Sequence, residues 1–171
     1  MRRDIGIKLI IFSLISIAVI VLDQITKYIC IKSLELQESK EIISGVLNFT
    51  YIRNEGAAFG SLSENRWIFM IASVVLIAAI IIYVIYDKTM KRCMVVCLSM
   101  IAGGGIGNMI DRIALGYVVD FIDVKFLPFW KWIFNVADSF VCVGAVLLLL
   151  LIIIYEIKEK KEKKNDVNTE L

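Results

Sequence analysis

The sequence predicts an all-α membrane protein with a small β element. Hydrophobic residues make up 59% of the 171 residues and charged residues only 21%, and the mean hydropathy is +0.79. In ordinary soluble domains apolar usage is about half and charged usage about a quarter. The excess apolar residues are gathered in four long runs, a pattern typical of membrane-spanning helices. We therefore expect a single integral membrane domain over residues 1–171 with four transmembrane helices.

The predicted spans are residues 7–29, 67–86, 93–112 and 134–155. The second run is free of charge throughout, and at about 1.5 Å per residue it covers roughly the 30 Å of a bilayer's hydrocarbon core. Lysine and arginine are concentrated before the first span, between the second and third, and after the fourth. The positive-inside rule then predicts cytoplasmic termini. Residues 30–66 and 113–133 become extracytoplasmic loops, and residues 156–171 a solvated, frayed cytoplasmic tail.

Two segments of the predicted extracytoplasmic loops have strand-like sequences. Val46–Arg53 and Tyr117–Val124 are rich in β-branched and aromatic residues and are bounded by glycines. Because an isolated hairpin is marginally stable, strands from both loops would pair in one small sheet at the outer membrane surface. Alternation along the second segment places Asp120 and Asp123 on opposite strand faces, so only one of them is expected to face a site.

The composition restricts the chemistry that is available. The chain contains no histidine, which excludes histidine-based nucleophile systems, histidine zinc sites and histidine proton shuttles. The four cysteines, three of them within apolar runs, predict neither a disulfide framework nor a metal site. A net charge of only +2 gives no reason to expect nucleic acid as a partner. An enzyme of this composition would rely on carboxylates for acid and base catalysis.

Ionisable and amide side chains cluster at one predicted membrane boundary. Such residues are costly in a bilayer, and each is therefore a candidate for function. They are Asp23, Lys27, Asn108, Asp111, Arg112, Asn135 and Asp138. For Asp23 and Lys27, four residues apart on one helix face, a neutralising ion pair is the simpler interpretation. The convergence of the others at one depth favours a site over scattered contacts between helices.

Asp120 and Asp138 can meet at this boundary, because the chain that follows the predicted strand leads into the fourth span. Two carboxylates at close range cannot both ionise, so they share a proton. The protonated member can then polarise a carbonyl while the ionised member activates water, as in aspartic peptidases. Buried aspartates and asparagines also line proton and ion pathways. The residues alone leave a peptidase and a small proton-coupled transporter or channel equally open.

Five sequence blocks resemble the lipoprotein signal peptidase family, also called signal peptidase II. They are Asp23–Lys27, Asn54–Gly60, Gly104–Arg112, Val118–Phe121 and Phe134–Ser139. The resemblance implies four transmembrane helices with a small extracytoplasmic antiparallel sheet that cradles an extended substrate. It also implies an intramembrane aspartyl endopeptidase that removes signal peptides from prolipoproteins. The cut would fall immediately before a lipobox cysteine that carries diacylglycerol.

The same resemblance implies roles for individual residues. Asp120 and Asp138 would form the catalytic dyad, and Asp111, which neighbouring Arg112 should keep ionised, suits a supporting role. Substrate-binding or supporting positions are Asn54, Gly56, Asn108, Asp111, Arg112, Asn135, Asp23 and Lys27.

The family further implies no metal or organic cofactor. The expected partners are diacylglyceryl-modified prolipoproteins and membrane lipids, without nucleic acid and without an obligate protein partner. The expected location is the bacterial cytoplasmic (inner) membrane, as a multi-pass protein whose active site lies near the outer leaflet.

Overall fold

Long apolar helices and a small sheet make up the described part of the chain. The structure is a computed structural model that describes residues 2–56, 66–87, 89–126, 129 and 131–169. In chain order the elements are α1 (Arg2–Ser33), β1 (Ser39–Ile43), β2 (Leu47–Asn54), α2 (Arg66–Tyr86), α3 (Arg92–Ala114), β3 (Val118–Val124), β4 (Ile133–Phe134) and α4 (Val136–Thr169). Ala57–Gly60, the second half of one family block, lie outside the described residues.

Three helices in the described part of the chain are long and apolar enough to cross a membrane. These segments are Asp4–Ser33, Arg92–Ala114 and Val136–Glu162. Asp4–Ser33 and Val136–Glu162 carry many exposed apolar side chains, which suit contact with lipid and would be unfavourable in water, whereas about half of the apolar part of Arg92–Ala114 is buried in the bundle. The apolar part of α2, Met70–Tyr86, is shorter. The mostly helical membrane fold is therefore confirmed, whereas a fourth crossing by α2 stays a prediction.

Helix α3 lies at the centre of the bundle, where it packs against α1, α4 and α2. Its glycines permit this close approach. A Cβ on Gly103 would lie 2.9 Å from the Ser16 carbonyl oxygen of α1, and a Cβ on Gly104 would collide with the Ala137 carbonyl oxygen of α4. Small residues at helix interfaces are the usual basis of close packing in membranes.

Replacing Gly107 by alanine should destabilise the protein by about 1–3 kcal/mol. The new Cβ would lie 2.6 Å from Oδ2 of Asp23, which would have to move. At Gly105 a Cβ would lie 3.5 Å from Cδ1 of Ile77, an ordinary contact, so Gly105→Ala is the matched control. Because alanine favours helix more than glycine does, the control should keep or raise the Tm. Equal Tm values for the two purified variants would show that Gly107 is not needed for close packing.

The strands form one antiparallel sheet in the order β1-β2-β3-β4. The strands predicted over Val46–Arg53 and Tyr117–Val124 are confirmed as β2 and β3. Neither β1 nor β4 was predicted from the sequence. β1 is exposed along its whole length, so it lacks the apolar alternation that marks a half-buried strand, and the two residues of β4 are too few to form a pattern.

The structure differs from two expectations for the last third of the chain. The fourth span was expected to begin at Phe134, but Phe134 belongs to β4 and the helix begins at Val136. The predicted frayed tail is instead a continuation of α4, which stays helical to Thr169. Glutamate and lysine are good helix formers, and pairs such as Glu156 and Lys160 have the i,i+4 spacing that stabilises an exposed helix.

Candidate active site

Asp120 is held on β3 by two amide donors. Its side chain is 1% exposed. Nδ2 of Asn54 donates to Oδ2 at 2.8 Å, and Nδ2 of Asn135 donates to Oδ1 at 2.6 Å. The strand register explains the first contact, because Asn54 lies opposite Val118, two residues from Asp120 on the same face. Pairing of β2 with β3 therefore fixes the Asp120 carboxyl from one side.

Asp138 is fixed by a reciprocal cap at the start of α4. Its backbone N–H donates to Oδ1 of Asn135 at 2.9 Å, and the Asn135 backbone N–H donates to Oδ2 of Asp138 at 3.3 Å. This exchange is a capping box, formed here by asparagine and aspartate at the spacing that such boxes require. Nδ2 of Asn108 on α3 donates to the other carboxyl oxygen at 2.7 Å. The three-residue spacing of Asn135 and Asp138 is thus the spacing that this helix cap requires, and it also places the Asp138 carboxyl beside Asn108.

Asn135 connects Asp120 and Asp138, the two aspartates that are predicted to form a catalytic dyad. Its side chain is fully buried, donates to Asp120 and accepts from the backbone of Asp138. The same amide nitrogen also lies 3.0 Å from Oδ1 of Asn108. The structure therefore brings Asp120, Asp138, Asn54, Asn108 and Asn135 into one hydrogen-bonded cluster. Such a network restricts each carboxyl to one geometry.

Burial raises the pKa of Asp120 to about 7, and the charge of Asp138 acts in the same direction. Hydrogen bonds from Asn54 and Asn135 favour the ionised form and oppose this increase. The Asp120 carboxyl can therefore keep a proton at a pH where an ordinary aspartate has lost it. A carboxyl of this kind can donate or accept a proton at physiological pH.

Lys27 is the centre of a second, charged cluster that adjoins the first through Asn108. Its ammonium group lies 2.8 Å from Oδ2 of Asp23, 2.9 Å from Oδ2 of Asp111 and 2.9 Å from Oδ1 of Asn108. Lys27 and both carboxylates are at most 3% exposed. The expected pair of Asp23 and Lys27 is present, and it extends to α3. Through Asn108, which donates to Asp138, the lysine also supports the first cluster.

Asp23 and Asp111 each accept a backbone hydrogen bond from a further element. The backbone N–H of Ala137, in the first turn of α4, donates to Oδ1 of Asp23 at 2.9 Å. The backbone N–H of Val119 on β3 donates to Oδ2 of Asp111 at 3.0 Å. Each carboxylate therefore holds in place an element that carries one of the two central aspartates.

Arg112 lies beside the aspartates rather than as the dedicated partner of its neighbour Asp111. Its Nη1 is 3.5 Å from the Asn108 carbonyl oxygen, and its charge interacts with Asp138, Asp120 and Asp111. Asp111 forms its ion pair with Lys27. The guanidinium therefore contributes positive charge to the whole carboxylate cluster.

Gly56 orients Asn54. Its φ is 91°, a left-handed conformation that glycine adopts without strain. In this conformation the Gly56 N–H donates to Oδ1 of Asn54 at 2.9 Å. The bond fixes the amide so that its nitrogen faces Asp120.

Gln24 is a site residue that sequence reasoning missed. Its Nε2 donates to Oδ1 of Asp111 at 2.9 Å and lies 3.2 Å from the Gly107 carbonyl oxygen. Gln24 falls within the Asp23–Lys27 block, but both of these partners lie on α3, more than 80 residues further along the chain, so no local spacing indicates the contacts. The prediction that Asp120 and Asp123 face opposite ways agrees with the structure, since Asp123 bonds Thr50 and Lys125 instead.

One end of the bundle of apolar helices holds a buried aspartate, Asp120, and a half-buried one, Asp138, in one hydrogen-bond network, which fits a membrane peptidase of the aspartic type. Comparison with known proteins narrows this class. The chain belongs to the signal peptidase II family, since the family model described as Signal peptidase (SPase) II matches residues 15–154.

Individual relatives agree with that family. The lipoprotein signal peptidase of Caldanaerobacter subterraneus subsp. tengcongensis is 46% identical over 130 residues, which are 76% of this chain and 87% of the relative. That of Streptococcus agalactiae serotype Ia is 39% identical over 140 residues, 82% of this chain and 90% of the relative. A solved bacterial membrane enzyme, obtained by the in meso method at 2.3 Å resolution, has a TM-score of 0.77 and 38% identity, covering 89% of this chain and 90% of its own.

Proposed function

We propose that this enzyme hydrolyses prolipoproteins immediately before a lipobox cysteine that carries diacylglycerol, with Asp120 and Asp138 as the catalytic pair. Membership of the signal peptidase II family supports removal of lipoprotein signal peptides. The observation that carries the catalytic assignment is the single buried residue, Asn135, which bonds both aspartates. A raised pKa at Asp120 adds a chemical reason.

The reaction follows from a pair that holds one proton. The ionised carboxylate removes a proton from water as the water oxygen attacks the scissile carbonyl carbon, while the protonated carboxyl donates to the carbonyl oxygen. The tetrahedral intermediate collapses when the peptide C–N bond breaks: the leaving nitrogen takes a proton from the protonated member of the pair, and a hydroxyl of the intermediate returns a proton to the ionised member. The products are a free carboxyl on the signal peptide and a free amine on the lipidated cysteine. The proton belongs to the pair rather than to one named residue.

Arg112 would stabilise the reacting substrate, and the asparagines would hold the two carboxyl groups in position. Arg112 supplies positive charge near both aspartates, which suits an oxygen that becomes negative in the transition state. The amides of Asn54, Asn108 and Asn135 keep the carboxyl groups oriented. An extended peptide can satisfy its backbone groups beside the sheet, which supports the sheet as a cradle for the segment to be cut.

The membrane arrangement follows from charge and hydropathy. The lysine and arginine distribution supports cytoplasmic termini. With α2 as a fourth crossing, the aspartates would lie at the outer leaflet of the bacterial inner membrane. Prolipoprotein signal peptides anchored in that membrane would reach Asp120 and Asp138 by diffusing within the plane of the bilayer.

The test is cleavage of two synthetic substrates that differ only in the lipobox cysteine, which either carries diacylglycerol or is unmodified. Purified enzyme in proteoliposomes should release a product whose mass begins at the lipidated cysteine, and it should cut the unmodified peptide far more slowly. Equal cleavage of both peptides would contradict the substrate proposal while leaving the peptidase assignment intact. No cleavage of either, with aspartate-dependent proton flux instead, would favour a transporter.

The pH dependence of kcat/KM should show an alkaline limb near pH 7. As the pH rises through the pKa of Asp120, the carboxyl ionises and the pair loses the proton that it needs. In Asn54→Ala the hydrogen bond that favours ionised Asp120 is lost, so the limb should move to higher pH. Asn48→Ala is the control, because Asn48 lies on the same strand but donates to Ser39. An alkaline limb at the same pH in Asn54→Ala and in Asn48→Ala would contradict this role of Asn54.

A further inference from the structure

A cavity of about 360 Å³ lies between the C-terminal end of α1 and the sheet, on the face of β3 opposite Asp120. Ile29 and Cys30 of α1 and Leu34 just after it form one side, and Ile42, Phe49 and Phe121 of the sheet form the other. This volume falls within the range of about 300–1,000 Å³ that is usual for small-molecule sites. The walls are predominantly apolar, so the cavity suits a hydrocarbon ligand.

The cavity borders the membrane. Ile29 and Cys30 belong to the last turns of a helix that is apolar enough to span the bilayer, up to Ser33. Ile29 is half exposed on the outer surface of that helix. The cavity therefore lies along the last two turns of α1, from Thr26 onward, where an acyl chain of the adjacent leaflet can reach it.

One cationic side chain lines this cavity. Lys40 lies opposite Phe49 in the register of β1 and β2, so strand alternation turns it toward the cavity face together with Ile42, whereas Glu41 turns away. Among the residues that the structure describes, no acidic side chain pairs with the Lys40 ammonium group. An unpaired cation beside an apolar cavity is complementary to a ligand with a hydrocarbon chain and an anionic head.

We propose that this cavity binds one acyl chain of an anionic glycerophospholipid from the adjacent leaflet, with the lipid phosphate on Lys40. A cationic side chain at this place favours a lipid with an anionic headgroup. The diacylglyceryl group of a substrate cysteine carries no charge and does not meet this requirement. Phe121 is the neighbour of Asp120 on β3, so a bound chain would support the strand that carries Asp120.

The charge component is tested by Lys40→Glu against Lys32→Glu. Lys32 is an exposed lysine near the same end of α1, where its ammonium lies over the Tyr28 ring and outside the cavity lining. Nanodiscs of phosphatidylcholine would be titrated with phosphatidylglycerol of the same acyl chains, and retained lipid counted by native mass spectrometry. Wild type and Lys32→Glu should each retain one phosphatidylglycerol. Lys40→Glu should bind it at least about fivefold more weakly, as expected for loss of one cation beside an anionic lipid.

Equal retention in the two glutamate variants, or no retained phosphatidylglycerol in wild type, would overturn the proposal. Both lysines are exposed, so these substitutions leave the folded core in place and the comparison is decisive.

The apolar component is tested by Cys30→Leu, which places a larger side chain in the cavity wall, against Cys142→Leu on an exposed turn of α4. Cys30→Leu should abolish retention of the lipid, whereas Cys142→Leu should retain it. Undiminished retention in a folded Cys30→Leu variant would exclude the cavity as the binding place of the chain.

Discussion

Replacing either Asp120 or Asp138 by asparagine should reduce the turnover of a diacylglyceryl-modified prolipoprotein at least about 10³-fold, within the range of 10²–10⁴ that general acid–base groups contribute. Each substitution removes a group that must carry or accept the shared proton. The purified variants would be assayed in single-turnover mode in the same proteoliposomes as wild type. Turnover near the wild-type rate in either variant would exclude that aspartate from the reaction.

Asp123→Asn is the matched control for this result. Asp123 is a buried aspartate on the same strand, three residues from Asp120, but it bonds Thr50 and Lys125 on the opposite face. Its replacement should leave turnover within a few-fold of wild type. A loss as large as that in Asp120→Asn would indicate that neutralising β3 damages the sheet rather than the chemistry.

Replacing Lys27 by methionine should cost about 3–5 kcal/mol of stability, the usual effect of removing one partner from a buried ion pair. Asp23 and Asp111 would remain buried without their counter-charge, and Asn108 would lose the donor that orients it toward Asp138. Cleavage should fall together with stability. Thermal unfolding and turnover of the purified variant measure both effects.

Two further variants separate charge from packing at this position. Lys32→Met makes the same change at an exposed position on the same helix and should shift the Tm little. Adding Asp23→Asn to Lys27→Met removes one uncompensated charge while keeping an oxygen for the Ala137 N–H, so part of the lost stability should return. A Tm loss in Lys27→Met no larger than that in Lys32→Met would contradict the role of the charged cluster.

The elements with a strong periodic or compositional signal could be predicted from the sequence. The apolar runs predict the long helices, and the segments rich in β-branched residues predict β2 and β3. The exposed strand β1 and the two-residue β4 carry no such signal, and they depend on pairing with strands that are already formed. The high charge density of the C-terminal segment predicts a disordered tail. The segment is helical instead, because the spacing of its glutamate and lysine residues favours helix.

The candidate site was predictable as a set of residues but not as a network. A charged or amide side chain in an apolar run is visible in any sequence, which identified Asp23, Asn108 and Asn135. Which of them bond each other depends on how α1, α3 and α4 cross. The sharing of Lys27 between two carboxylates and the bridging by Asn135 therefore cannot be predicted from the sequence, because both depend on how the helices pack. The role of Gln24 was not predicted because its partners on α3 are more than 80 residues away in sequence.

Whether Asp120 and Asp138 act as one catalytic unit is decided by the single-turnover rate of the double variant Asp120→Asn/Asp138→Asn beside the two single variants. Groups that act together are not additive, because removal of one already abolishes the shared function. The double variant should therefore cleave the diacylglyceryl-modified substrate no more slowly than the slower single variant. Losses that multiply, so that the double variant is slower by the product of the two single effects, would show that the aspartates contribute independently and do not form a dyad.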